Sequence, residues 1–335
     1  MKRIFTLLFA AFTATTIMAQ MHGPMKFVGA SNMTVSTMSN DNPSDTILFA
    51  MNGMESGNIT LPAMKGMQTI PSFTISGAKF TLGENHVVTF ADQTFSTKVK
   101  VDGEEKNITG KSLSGTYNMA DNSLSLTVVF QYGKMPFPMT YTVKGYYVKA
   151  VSNPITVTVG GQFTYNNDNV TYELRRYKDG GTDKLDVTVP SYSLTNTVMG
   201  DLTLGTYTVK GLVYDEAQGG YYRDYKNDGL SFHFTAVNGG KTTMDKDYEF
   251  AKEKANNILV KYEGSNVSSI VNTFQMGAMP FGIVSVFSAP ATSIEGVNAN
   301  ATAPADGRTY NLAGQRVDNN YKGIVIVNGK KYLRK

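Results

Sequence analysis

The chain has 335 residues, 41% of them hydrophobic, with three histidines and no cysteine. That length allows two domains with cores of their own, and that apolar content makes the chain globular rather than disordered. The formal charge of +4 comes from Lys2, Arg3 and residues 307–335, where seven Lys/Arg meet one Asp; the mildly acidic body between them argues against nucleic-acid binding, and the lack of cysteine excludes disulfides, zinc–thiolate and iron–sulfur sites and cysteine nucleophiles.

Lys2 and Arg3 precede an apolar run from Ile4 to Phe12, and small residues follow up to Ala19. This is the layout of a secretory signal peptide, with cleavage expected after Ala19 and residues 1–19 removed. An uncleaved membrane anchor is the alternative, but the run is about half of the roughly 20 residues a spanning helix needs. A mature chain beginning Gln20-Met21-His22 would present a free amine with histidine third, a set that wraps square-planar Cu(II) or Ni(II). Cyclisation of the terminal glutamine would destroy it.

A first unit is expected over residues 20–150. Alternating stretches run Ile59 to Leu61, Phe73 to Ile75, Val87 to Phe90, Lys98 to Val101, Leu124 to Phe130 and Met139 to Val143. Turn signals such as Asp102-Gly103 and Asp121-Asn122 separate them. A second unit, over 151–289, offers Ile155 to Val159, Thr171 to Tyr177, Leu185 to Val189, Gly205 to Val213, Leu230 to Thr235, Asn257 to Tyr262 and Val267 to Phe274. Asp247 to Ala255 reads as a short helix or as a strand followed by a turn. Strands at this spacing suggest barrels or sandwiches rather than βαβ units.

Two phrases recur. FQYGKMPF (Phe130 to Phe137) and FQMGAMPF (Phe274 to Phe281) stand 144 residues apart, and 8 of 16 positions match from Asn122 and Asn266 onwards. Ile59-Thr60-Leu61-Pro62 matches Val187-Thr188-Val189-Pro190 at an offset of 128, so the second unit is expected to carry longer loops. Repetition at domain-sized spacing means one folding unit used twice. The Met-Pro-Phe return is either a packing corner or a rim whose Met and Phe fold inward as a plug.

Through these phrases the repeats resemble the calycin-like (lipocalin-like) β-barrel domains of exported bacterial proteins. The resemblance covers residues 47 to 289 and implies meander barrels able to enclose a cavity. The fold class expected is therefore all-β: two antiparallel eight-stranded barrels in tandem, each closed and self-sufficient, plus a small β tail. Residues 290–306, rich in Ala, Asn, Thr and Pro, read as a linker. The tail, 307–335, carries Thr309 to Val317 (TYNLAGQRV) and Lys322 to Lys331 (KGIVIVNGKK), with the hairpin pair Asn328-Gly329. It is similar to sorting domains of the type IX secretion pathway, which implies the export machinery as a partner.

Catalysis is poorly supported; carboxylates for glycoside hydrolysis exist, but the sequence does not pair them. The histidines (His22, His86, His233) are scattered, and no G-x-S-x-G or H-E-x-x-H occurs. Gly239-Gly240-Lys241-Thr242 and Asp224 to Gly229 echo a phosphate loop and a calcium loop but read as turns. Methionines near the start (Met21, Met25, Met33, Met38, Met51, Met54, Met64, Met67) form an adaptable ligand lining or fill the core. Tyr221, Tyr222, Arg223 and Tyr225, in a Gly-flanked loop, either contact a sugar or partner or cover a barrel end. The function expected is non-enzymatic and without cofactor: binding of a small apolar or amphipathic ligand, or a glycan, in a barrel cavity or rim. The alternative is a structural or adhesive surface protein with filled barrels. The address expected is the cell surface, outer membrane or exterior, with the periplasm as the other compartment.

Overall fold

The computed structural model describes residues 23–65, 69–83, 86–277, 279–288, 309–311, 316–318, 321–327 and 330–334. Among these every regular element is a strand, and no helix is long and apolar enough to cross a membrane. The first half holds β1 (Met25–Val35), β2 (Met38–Met51), β3 (Ser56–Leu61), β4 (Met64–Lys65), β5 (Thr69–Ile70), β6 (Phe73–Lys79), β7 (Thr81–Leu82), β8 (Val87–Val101), β9 (Glu104–Asn118), β10 (Ser123–Tyr132) and β11 (Met139–Val159). The second holds β12 (Phe163–Asp179), β13 (Thr182–Val189), β14 (Tyr192–Thr197), β15 (Gly200–Leu204), β16 (Tyr207–Asp215), β17 (Gly220–Asp224), β18 (Ser231–Asn238), β19 (Lys241–Glu249), β20 (Asn257–Glu263), β21 (Asn266–Phe274) and β22 (Ile283–Ser288). The tail is a three-stranded sheet of β23 (Thr309–Asn311), β24 (Gly323–Val327) and β25 (Lys330–Arg334).

Strand formation follows the residue alternation. In β10, Leu124, Leu126, Val128, Phe130 and Tyr132 all face the core, while the residues between them do not. Turn chemistry sets the registers. Asp102 (φ 53°) and Gly103 (φ 85°) make a two-residue turn that pairs Val101 with Glu104.

Eight strands close completely on themselves in the order β11–β12–β13–β16–β17–β20–β21–β22 and back to β11. Closure leaves no edge in that ring. The other eight curl around a core of their own without closing: β1–β2–β3–β6 extend from β11 in one direction and β10–β9–β8–β7 in the other. No ladder joins β6 to β8 among the described residues. Instead the Gln93 side chain accepts from Lys79 N (2.8 Å) and donates to Lys79 O (2.8 Å), stitching that seam with one amide.

The two rings have separate cores, both filled by aromatic side chains. Phe27, Phe49, Phe90, Phe130 and Tyr141 occupy the first; Tyr172, Tyr225, Phe234, Phe274 and Phe287 occupy the second. The repeated phrases mark matching places. Thr60 Oγ1 meets Thr74 Oγ1 at 2.8 Å between β3 and β6, and Thr188 Oγ1 meets Thr208 Oγ1 at 3.0 Å between β13 and β16. Gln131 donates to the Met135 carbonyl (2.5 Å), and Gln275 to that of Met279 (2.6 Å).

Three expectations differ from this arrangement. The sheets are not independent: β11 runs unbroken through residue 150, so sixteen strands form one hydrogen-bonded sheet. The extra length expected as loops in the second unit is itself a four-stranded sheet, β14–β15–β18–β19, which takes in Lys241–Glu249 as a strand followed by a turn. The phenylalanines of the Met-Pro-Phe returns do not plug the rings. Phe137 and Phe281 are 55% and 50% exposed, while Met135 and Met279 pack against the cores. Residues 1–22 and the linker at 290–306 lie outside the described residues.

A polar strut locks the two rings where β11 passes between them. Val148 pairs with Lys26 of β1 and with Arg175 of β12, which puts these strands on opposite edges of β11. Arg175 reaches across to donate to the Val28 carbonyl (3.0 Å) and bonds Asp186 through Nε (3.1 Å) and Nη2. Asp186, nearly buried, also accepts from Tyr177 Oη (3.1 Å) and Gly211 N (2.8 Å). Lys26 and Glu173 pair at 2.8 Å beside them. Removing one partner of such a group leaves a charge with no counterpart. The Asp186→Ala variant is expected to lose about 3–5 kcal/mol in urea unfolding, and a loss below about 1 kcal/mol would show that the strut is incidental.

Candidate functional site

The second ring opens at both ends. One mouth faces the first ring and is a hollow of about 640 Å³. Its floor is Leu174 of β12 and Leu185 of β13, both at the top of the filled core. Tyrosines make the wall: Tyr214 of β16, Tyr221 of β17, Tyr262 of β20 and Tyr147 of β11. The rim is polar, with Arg176, Asp183, Lys149, Ser265 and Asn122, the last from the turn between β9 and β10. The Asn122 carbonyl accepts from Tyr147 N at 2.9 Å, which ties that turn of the first ring to the hollow.

The wall is a chain of edge-to-face rings. Tyr214 and Tyr221 have centroids 5.7 Å apart at 84°, and Tyr221 and Tyr262 6.0 Å apart at 73°. The Arg176 guanidinium lies 5.5 Å over the Tyr221 ring and donates to Asp183 at 2.9 Å. Burial pushes the Tyr262 phenol up to about 12, with Tyr221 adding to this and Arg176 opposing it. Burial likewise raises Tyr221 against the pull of Arg176. Burial works to lower Arg176, but the bond to Asp183 together with the charges of Asp183, Tyr221 and Tyr262 outweighs it and holds the guanidinium above its ordinary value. Tyr221 and Tyr262 are therefore neutral hydrogen-bonding phenols rather than bases at ordinary pH.

The expected contact residues divide. Tyr221 lies in the wall of this hollow, although in strand β17 rather than in a loop. Tyr225 turns inward: it is buried and donates to Asn272 Oδ1 (2.8 Å), which removes it from any surface. Arg223 is held by Asp228 through two bonds of 2.8 Å, and Tyr222 is half-buried on the other face of β17. Tyr147, Tyr214, Tyr262 and Arg176 were not singled out by sequence reasoning, because four separate strands deliver them. Their one local signal is a tyrosine or arginine in phase with the core-facing residues of its strand.

Other constellations reduce to structure. Gly239-Gly240 is the turn of the β18–β19 hairpin. In the calcium-like phrase, Asp224 pairs with Lys226 (3.1 Å) and Asp228 with Arg223. Among the described residues no cluster of His, Cys, Asp and Glu could hold a metal. Gln20, Met21 and His22, like Met67, lie outside the described residues. Met25, Met33 and Met64 fill the first core, while Met38 and Met54 are exposed. The opposite mouth of the second ring is a smaller apolar groove of about 120 Å³ beside the exposed Phe163, Val198 and Phe281. A third hollow, about 610 Å³, follows the β6–β8 seam.

Comparison with known proteins bears on the first half. Residues 25–146, from β1 into β11, match the model of the calycin-like β-barrel domain. No curated protein matches the sequence. A crystal structure from Bacteroides fragilis, provisionally described as an outer membrane protein, is 16% identical over 80% of this chain and 96% of that one. Its TM-score of 0.26 is too low to support any argument.

His233 gives a pH-dependent prediction away from the hollow. Its Nδ1 lies 2.9 Å from Asp247 and its Nε2 2.9 Å from Asp245, both on β19. The bond to Asp247, aided by the charges of both aspartates, raises its pKa above 6.5 despite slight desolvation. A raised folded value stabilises the protonated state, so the contribution is complete below about pH 6.5 and vanishes as pH climbs through the folded value. NMR titration of His233 should give a midpoint above 6.5 that Asp247→Asn lowers; an unchanged midpoint would show that the aspartates leave the ring unaffected.

Proposed function

We propose that the protein is an exported, non-enzymatic binding protein, built of two calycin-like units that share β11. It takes a small amphipathic ligand in the tyrosine-walled mouth of the second ring. The carrying observation is the hollow itself, at about 640 Å³, with an apolar floor, aromatic walls and a polar rim. Binding sites for small molecules have about 300–1,000 Å³ and this same mixture of surfaces. The filled cores leave the mouth, not the barrel interior, as the place for a ligand. Binding rather than transformation fits the local chemistry, because the lining holds one carboxylate, Asp183, with its charge balanced by Arg176, and no second carboxylate to share acid–base work. Export rests on the basic and apolar start of the chain and on the sorting-like tail, which would meet the secretion machinery.

A second reading, a structural or adhesive surface protein, draws on the exposed Phe163 (52%), Val198 (96%) and Phe281 (50%) at the opposite mouth. The two readings separate in one experiment. Ser265 is exposed in the turn after β20, so Ser265→Trp blocks the hollow without entering a core. Native mass spectrometry of protein purified from its own host should find a small-molecule adduct on the wild type that Ser265→Trp lacks. No adduct, or one retained by the variant, would remove the ligand reading.

A further inference from the structure

Resting on that reading of the mouth, we infer that the ligand class is a neutral glycan. Tyr214 is its stacking platform, and the Arg176–Asp183 pair reads its hydroxyls. The choice among ligand classes follows from which groups of the lining are already committed.

A charged head group needs a free counter-charge. Arg176 is neutralised by Asp183 at 2.9 Å, which leaves Lys149, held on the rim by the Ser265 carbonyl at 3.1 Å, as a single charge screened by water. A wholly apolar ligand fits no better. It would cover Arg176, Asp183 and Lys149 while giving them nothing to bond, and burying polar groups that way is costly. A neutral sugar ring meets both conditions. Its C–H face can lie on an aromatic ring, and its hydroxyls both donate and accept.

The geometry supplies both kinds of partner side by side. Tyr214 is 53% exposed and meets Tyr221 edge to face, an arrangement that braces the ring while leaving it open to the hollow. Arg176 and Asp183 keep 53% and 42% of their side-chain surface exposed. A guanidinium offers five donors and a carboxylate about four acceptor positions. Their mutual contact is one bond of 2.9 Å from Nη2 to Oδ2, so most of that capacity is free for hydroxyls. The Asn122 side chain, on the opposite rim, adds a donor and an acceptor contributed by the first ring.

The test is a printed glycan array probed with the labelled full chain, followed by calorimetric titration of the strongest hit. Binding of a neutral glycan is expected, with affinity about tenfold lower in Tyr214→Ala. Tyr214→Phe, which keeps the ring, should restore most of it, and Val198→Glu at the opposite mouth should leave it unchanged. Asp183→Asn, which leaves Arg176 as an uncompensated cation, should shift preference towards acidic glycans. The inference is overturned if the array is blank, if only acidic glycans bind the wild type, or if Tyr214→Ala binds as tightly as wild type. A host-derived adduct that Ser265→Trp excludes but that proves to be a lipid would overturn the glycan class and leave the mouth as the binding place. The absence of both an adduct and array binding would sink the two together.

Discussion

One strand has to serve two cores. β11 is 21 residues long, and its odd-numbered residues keep one face throughout: Met139, Tyr141 and Val143 enter the first core, Ile155 and Val157 the second. Side chains alternate strictly along a strand, so the two rings must lie on the same side of β11. Between them that face belongs to neither core. Tyr147 and Lys149 sit there, and both line the hollow. The candidate site is thus a consequence of sharing a strand: where the chain leaves one ring and enters the next, its inward face is uncovered. The opposite face is closed at the same point by Arg175, reaching from β12 to the Val28 carbonyl of β1.

Much of the sequence carried the fold legibly. Alternation gave the strands, and the repeated phrases marked equivalent corners, because each does a local job that is the same in both copies. The glutamine of FQ-x-G-x-M-P-F bonds the methionine carbonyl four residues on, and the threonine of each T-x-P pairs with a threonine across the ladder. The shared strand was not legible. Ala150 to Pro154 ends in Ser-Asn-Pro, which reads as a boundary, and proline cannot donate to a ladder. In the structure the register of β11 against β12 shifts between Asn153 and Ile155, so the proline sits where the pairing is already irregular. The insertions hid for another reason. β14–β15 and β18–β19 are separated by β16 and β17 in sequence, and only β15 pairing with β18 makes them one sheet.

The site was half legible. Tyr221 stood out because it belongs to a run of tyrosines, yet that run splits by strand parity and by the turn that follows. Tyr221 goes to the wall, and Tyr225 goes to the core, where Asn272 holds its hydroxyl and burial raises it far above an ordinary phenol. A cluster in sequence was therefore not a cluster in space. Tyr214 and Tyr262 come beside Tyr221 only because β16 and β20 flank β17 in the ring. Nothing short of the strand order could have brought those three together on the page.

Filling of the interiors decides where chemistry can happen. Eight-stranded rings are just wide enough either to be packed by their own side chains or to hold one small ligand. Here ten of the largest buried side chains are aromatic and divide between the two cores, so aromatic rings occupy both interiors. Specificity then has to come from the ends. The two ends of the second ring differ in kind: Phe163, Val198 and Phe281 at one, and tyrosines with a self-compensated Arg176–Asp183 pair at the other. An apolar end gains by covering surface and discriminates little between partners. An end with fixed donors and acceptors rejects whatever leaves them unpaired, because an unmet polar group costs more than a met one gains. Under the proposed binding reading the polar mouth would for that reason be the selective one, and the shared strand helps to build it.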